Sequence, residues 1–378
     1  MNILFTRFPL QSIINGGAEK QTIALMKGLR ERGHDVSFAG SCSALLKMCK
    51  AEGIKTHHLD IGQPPVTKGS AISFLWRMRS MRKKLKKILT EANSYKLKAN
   101  IVVMLSLTEK LLLTDIASKK GVKVFWIEHD RIGNWLRKNP WLKLLLRQSQ
   151  LATTIVVSEL SKKLYNELGW KEKNLLAIPN GIDLPSPRGR GVGGEGLRLA
   201  CIARLSPEKG VDILLEAIKD LPNISLTIIG TGPEQNTIKK MIVRINESTL
   251  RRGSGQAPQR INVLTNIKNP AGFYSQIDAL VLPSRDHDPF GLVAAEAMMA
   301  GVPIIVTDAC GIASYLDNGK DAIVVRAGSV EALKEGILKL ATRNSRLTIA
   351  KEGQMTAQQK FSAEKMVENY ELVLTGRA

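Results

Sequence analysis

The chain has 378 residues, with 55 lysines and arginines against 34 aspartates and glutamates, a formal charge of +21 at pH 7. Its 44% apolar and 24% charged content excludes global disorder, and its length favours two domains over one. The four cysteines, Cys42, Cys49, Cys201 and Cys310, lack paired spacing, which gives no support to a zinc site or disulfide framework and suits a reducing cytosol.

From the N-terminus, short apolar runs predict strands at 2–6, 35–40, 100–106, 123–128, 153–158 and 175–178, separated by amphipathic helices such as 18–32 and 160–167. The opening MNILFTRFPL is broken by Arg7 and does not read as a signal peptide. No apolar run reaches the ~18 residues of a membrane span, so the expectation is a cytoplasmic protein. Residues 1–183 carry a net charge of +17 and the remainder +4. Ten basic residues and a single acid, Glu91, fall within 66–98. Phe74, Met78, Met81, Leu85 and Ile88 recur there at helical spacing, with arginines and lysines between them. A basic amphipathic helix over 74–89 is expected, able to rest on an anionic membrane at about 1 kcal/mol per basic residue. The competing reading is a surface helix with a solvated basic face. A second interfacial candidate, 135–147, combines Trp135, Trp141 and a leucine run with basic residues; its competing reading is a core helix interrupted at Pro140.

The segment 185–196, PSPRGRGVGGEG, reads as a linker between domains at 1–184 and 197–378. Its Gly191, Gly193 and Gly196 match G-x-G-x-x-G, but they follow prolines and precede a strand, the wrong context for a dinucleotide fingerprint. Beyond it, strands are predicted at 198–203, 225–230, 261–264, 279–283, 303–307 and 322–325. Helices are predicted at 211–219, 234–244, 292–300 and 330–342. A loop insertion is read at 251–259, and a last helix near 361–375 is expected to pack back on the N-terminal domain. Strand–helix alternation in two blocks predicts an α/β protein of two doubly wound, Rossmann-like domains facing across a cleft, with ligands outside the carboxyl ends of the strands.

Four segments place glycines or charges at such strand ends. Gly16 and Gly17 open the first helix, where backbone can approach an anion closely. Arg204 and Lys209 flank the turn at Pro207 and can converge on a diphosphate. Gly230 and Gly232 sit in a strand-to-helix turn that permits close backbone approach. LPSRDHDPFGLVAAEAMMAG, 282–301, ends a strand and opens a helix at Gly291 and Leu292. The one acid of that helix, Glu296, is either exposed or holds a ligand such as a ribose.

Together with IPNGID (178–183), these segments resemble the retaining glycosyltransferases of GT-B fold, family 4. The resemblance implies that Arg204 and Lys209 neutralise a nucleotide-sugar diphosphate. Gly291 and Leu292 would bind phosphate through their amides, and Glu296 would hold the ribose. Gly16 and Gly17 would face the phosphates from the other domain. His129, ending VFWIEH, would lie beside the reacting sugar. The family pattern has two glutamates separated by seven residues; here the first is Asp288, one methylene shorter, which would meet the donor sugar. The resemblance thus implies sugar transfer to a saccharide or lipid-linked acceptor in envelope polysaccharide or lipopolysaccharide synthesis. No cofactor or metal is expected, because two protein cations can neutralise the diphosphate. No nucleic-acid partner is expected either, since stacking aromatics do not interleave with the basic residues. The alternatives are a degenerate, inactive copy or a basic protein binding membrane or nucleic acid.

Overall fold

A computed structural model describes residues 1–9, 16–90, 99–183, 196–251, 260–267 and 270–377. Most of the linker at 185–196 and nearly all of the loop at 251–259 lie outside the described residues. The chain divides into two units, Met1–Gly181 with Ala363–Ala378, and Ile182–Ser362.

The first unit contains strands β1 (Asn2–Arg7), β2 (Asp35–Gly40), β3 (Lys55–His58), β4 (Ile101–Met104), β5 (Lys123–Glu128), β6 (Thr153–Val156) and β7 (Leu175–Ala177). They form one parallel sheet in the order β3-β2-β1-β4-β5-β6-β7. Between them run α1 (Gly17–Glu31), α2 (Ser43–Ala51), α3 (Lys68–Thr90), α4 (Leu107–Leu112), α5 (Thr114–Lys119), α6 (Asn134–Arg137), α7 (Leu142–Ser149) and α8 (Glu159–Glu167). Alternate side chains of the central strands enter two cores. Leu4, Val102, Met104, Val124 and Trp126 pack on one face; Ile3, Phe5, Ile101, Val103 and Phe125 pack on the other. Burial on both faces explains why these strands read as continuous apolar runs.

The second unit contains β8 (Leu197–Ile202), β9 (Ile224–Ile229), β10 (Arg260–Leu264), β11 (Ala279–Leu282), β12 (Ile304–Thr307) and β13 (Ile323–Val325). Its parallel sheet has the order β10-β9-β8-β11-β12-β13. Its helices are α9 (Val211–Ile218), α10 (Gln235–Arg251), α11 (Pro270–Tyr274), α12 (Leu292–Met299), α13 (Val330–Lys339) and α14 (Arg343–Lys360). The last helix, α15 (Ala363–Thr375), belongs to the first unit. Its Met366, Val367, Tyr370 and Leu374 join the core beside α1, and Glu371 binds Arg32 and His34. In both sheets the direction of winding reverses beside the first strand, between β1 and β4 and between β8 and β11. These switch points open crevices at the carboxyl ends of the strands.

Among the elements that escape the sequence reading are β3 and α14. β3, KTHH, is a polar edge strand paired only with β2, so it lacks an apolar signature. α14 buries mainly Ile349, Ala350, Gly353 and Ala357; small contact residues leave little hydrophobic periodicity to read.

In both interfacial candidates the packing accounts for the apolar residues that the sequence singled out. The apolar stripe of α3 is core: Phe74 and Leu85 are fully buried, Met81 nearly so, and Met78 and Ile88 pack beside them. The segment 135–147 breaks into α6 and α7 around Pro140. Trp141 meets Phe74 edge-on at 5.1 Å and its indole N–H donates to the Ala71 carbonyl at 3.1 Å, while Leu136 and Leu145 are buried. Trp135 and Trp141 are both half-buried against the core. No helix among the described residues is long and apolar enough to cross a membrane.

Candidate functional site

The switch point of the second sheet gathers two of the segments singled out in the sequence. After β8 the chain passes Arg204, makes a short 3-10 turn at Pro207–Lys209, and enters α9 through Gly210. After β11 it runs through Ser284–Phe290 into α12. Four links fasten these loops together. Gly210 has φ +64, and a Cβ there would run into the Pro283 carbonyl oxygen. The Arg285 amide donates to the Glu208 carbonyl at 2.9 Å. The Arg285 guanidinium pairs with Asp212. Finally, Lys209 Nζ reaches Asp288 Oδ2 at 2.6 Å.

The two residues with separate roles implied by the resemblance are therefore an ion pair. Asp288 is nearly buried and Lys209 a quarter exposed. The loop around Asp288 is held from its other side as well. Its amide donates to the Ala309 carbonyl at 2.9 Å, its carbonyl accepts from the Gly311 amide at 2.8 Å, and Thr307 Oγ1 donates to the Ser284 carbonyl at 2.6 Å. A carboxylate so anchored fixes Lys209 in turn. An ammonium has three donors, so one spent on Asp288 leaves two for an incoming anion. Arg204, at the end of the same loop, is exposed.

α12 begins at Gly291, which has φ +92 and ψ +56, a conformation open to glycine at little cost. The first intrahelical bond there is donated by Ala294 to the Gly291 carbonyl, so the first-turn amides ahead of it have no acceptor within the helix. Such amides favour an anion. Ala294, Ala295, Ala297, Met298 and Met299 are buried. Glu296 is half-buried, and its Oε2 accepts from the phenol of Tyr274 at 2.8 Å. Tyr274 is 1% exposed, and burial followed by the Glu296 charge drives its pKa upward, so it stays a donor. Sequence reasoning missed Tyr274; it lies 22 residues from Glu296 and no spacing rule links them.

Gly230 and Gly232 are explained differently from the sequence expectation. A Cβ at either would strike the backbone carbonyl of Ala203 or Leu205. The Leu205 amide donates to Thr231 at 3.0 Å and the Glu234 amide to Leu205 at 2.9 Å. The backbone that approaches these glycines is that of the Arg204 loop, which they hold in place.

The first unit builds a second polar cluster at its own strand ends. Arg7, closing β1, binds Glu19 of α1 at 2.8 Å. Gly16 caps α1 with extended backbone, and a Cβ there would meet the Glu19 carboxylate. Gly17 is the first helical residue. α4 starts with a capping box in which the Ser106 hydroxyl and amide bond Glu109 at 2.8–2.9 Å. That cap orients Lys110, whose Nζ lies 2.9 Å from Glu128 and 3.1 Å from the Ile127 carbonyl. His129 follows directly. Burial, then Arg7, then Lys110, push its pKa down from 6.5 to about 3. The imidazole is therefore neutral, a hydrogen-bonding group rather than a cation. Arg7, Glu19 and Lys110 were not among the residues expected from sequence; the one available signal was a charge ending the first strand.

A depressed histidine makes the protein sensitive to acid. The unfolded chain binds more protons between pH 6.5 and 3, so the contribution of His129 is fully present above 6.5 and lost as pH falls toward 3. Glu109, raised to about 7 by burial, acts in the opposite sense. The expected result is a steeper acid loss of Tm in wild type than in His129→Asn, measured by thermal unfolding from pH 7.5 to 4. Parallel curves would contradict it.

Residues 190–355 match the family model described as glycosyl transferases group 1, and residues 15–185 the one described as glycosyltransferase family 4. An exopolysaccharide phosphotransferase of Streptomyces coelicolor is 28% identical over 71% of this chain and 28% of its own length. The lipopolysaccharide core biosynthesis glycosyltransferase LpsE of Rhizobium meliloti is 25% identical over 47% of this chain and 49% of its own. The chain spans about half or less of the length of these two relatives. Among solved structures, Anabaena HepE in complex with UDP superposes with a TM-score of 0.77 at 18% identity, covering 100% of both chains. At that identity the likeness is one of fold.

Proposed function

This chain belongs to the group 1, family 4 glycosyltransferases, and from that premise we propose that it moves a sugar from a nucleotide-sugar donor to a saccharide or lipid-linked acceptor, with retention at the anomeric carbon. The setting we propose is envelope polysaccharide or lipopolysaccharide synthesis, in keeping with what LpsE is named for. The observation that carries the donor assignment is the Lys209–Asp288 pair at the switch point, on a loop leading into the open amides of α12.

In this reading the second unit holds the donor. As the glycosidic bond breaks, charge grows on the departing diphosphate. Lys209 and Arg204, with the amides of Gly291 and Leu292, meet that charge without needing to reorganise. Glu296, its carboxylate fixed by Tyr274, accepts hydrogen bonds from the ribose hydroxyls. Asp288 positions Lys209 and bonds the donor sugar. The first unit takes the acceptor. Neutral His129 offers the reacting sugar a hydrogen bond, and Arg7 and Lys110 bias that region toward anionic groups. A protein nucleophile is not part of the proposal; the acceptor attacks on the face the diphosphate leaves.

The test is thermal-shift binding of UDP-, GDP-, ADP- and CMP-sugars to wild type and Glu296→Ala, with EDTA present. One nucleotide sugar is expected to raise the Tm of wild type by several degrees and of the variant by clearly less. Absence of a shift with every nucleotide would remove the reading.

A further inference from the structure

The outer face of α3 has no counterpart in the donor chemistry. Its inner stripe is spent on the core, yet Ile72, Leu75 and Trp76 are 67%, 60% and 86% exposed. At 100° per residue these three fall on the same face as Arg79, Lys83 and Lys86, which are also exposed. The face therefore has an apolar first third and a basic remainder. Alongside the basic part, Arg79, Arg82, Lys83 and Lys86 of α3 and Lys119 and Lys120 at the end of α5 line a cavity of about 490 Å³. Asp115 neutralises Arg82 within that group.

We propose that this face docks on an anionic lipid surface, with Trp76, Ile72 and Leu75 entering the headgroup boundary and the α3–α5 cavity receiving lipid phosphates. The proposal deepens the reading above, resting on it only in giving a lipid-linked acceptor a surface. Charge complementarity supplies the attraction, and the apolar trio decides the partner. A nucleic acid or a free phosphate would satisfy the cations, but offers nothing to three exposed apolar side chains. A bilayer interface rewards both, and tryptophan favours that depth.

The experiment is co-sedimentation of the full chain with vesicles of phosphatidylcholine alone or with 30% phosphatidylglycerol, at low and at 0.5 M salt. Binding is expected only with phosphatidylglycerol, weakened by salt. Brominated lipid is expected to quench tryptophan fluorescence in wild type, with most of that quenching lost in Trp76→Phe. Lys83→Glu/Lys86→Glu is expected to lower vesicle affinity at least tenfold, at about fivefold per cation removed. Lys239→Glu/Lys240→Glu, an equal charge change on α10, is expected to leave it within twofold. Equal effects of the two charge reversals, binding to neutral vesicles, or a gel shift with RNA unaffected by Trp76→Phe would overturn the proposal. Nucleotide-sugar thermal shifts on the same variants keep a failure here distinct from a failure of the donor assignment, since that assignment involves none of these residues.

Discussion

Replacing Lys209 with alanine is expected to lower kcat/KM for sugar transfer by about 10²–10³-fold, the loss typical of removing one preorganised charge-stabilising donor. The side chain is fixed before any donor arrives: its Nζ lies 2.6 Å from Asp288, on a carboxylate whose backbone is bonded to Ala309 and Gly311. Truncation has a second effect, because it leaves Asp288 nearly buried without its cation, a destabilising arrangement. The two effects separate in the double variant. Lys209→Ala/Asp288→Asn is expected to regain much of the lost Tm but none of the lost rate. If the double variant regained the rate, Lys209 would be a structural cation, and the diphosphate would have to be met by Arg204 and the helix amides alone.

Gly210→Ala is expected to lower the Tm of the second unit by about 10 °C, a loss of roughly 3–5 kcal/mol at 2–4 °C per kcal/mol. Two costs coincide at this residue. Its φ of +64 is rarely adopted by an L side chain, and a Cβ would enter the space of the Pro283 carbonyl oxygen. The obstructing atom is backbone at the end of a buried central strand, so it cannot rotate away. Relief requires the β8 and β11 loops to part, which would stretch the Lys209–Asp288 pair. Nucleotide-sugar binding is therefore expected to fall with the Tm. Calorimetry on the variant, followed by binding at 10 °C where it remains folded, checks both; a stable variant with weakened binding would show that only the loop spacing matters.

Much of the fold was legible because burial on both sides of a parallel sheet writes itself as short runs such as NILF, VFWI and ALVL. Among the described residues, twelve of the thirteen strands fall on runs the sequence predicted, although β10, at a sheet edge, is buried only in part. β3 does not, because an edge strand can be KTHH and still pair. Local geometry was legible at Gly291, whose positive φ opens α12, and at Glu296, the lone acid of that helix. At Gly230 and Gly232 neighbouring backbone lies close, and a glycine pair in a turn looks the same in sequence whether ligand or backbone approaches it.

What the sequence determined by itself was periodicity, charge distribution and the positions of turn residues, because these depend on near neighbours along the chain. It located the basic first half and the loops that end at Lys209 and Asp288. The tertiary structure alone decided which residues meet. Lys209 and Asp288 are 79 residues apart, Tyr274 and Glu296 belong to different helices, and His129 is kept neutral first by burial and then by Arg7 and Lys110, which come from other parts of the chain. The same holds for α3. Its amphipathic pattern is plain in the sequence, but an apolar stripe beside a basic one can serve a core or a membrane. Packing settled that Phe74, Met81 and Leu85 serve the core, leaving Ile72, Leu75 and Trp76 facing outward beside the cations. Long-range contacts of this kind are created when the sheet assembles, and no local pattern encodes them.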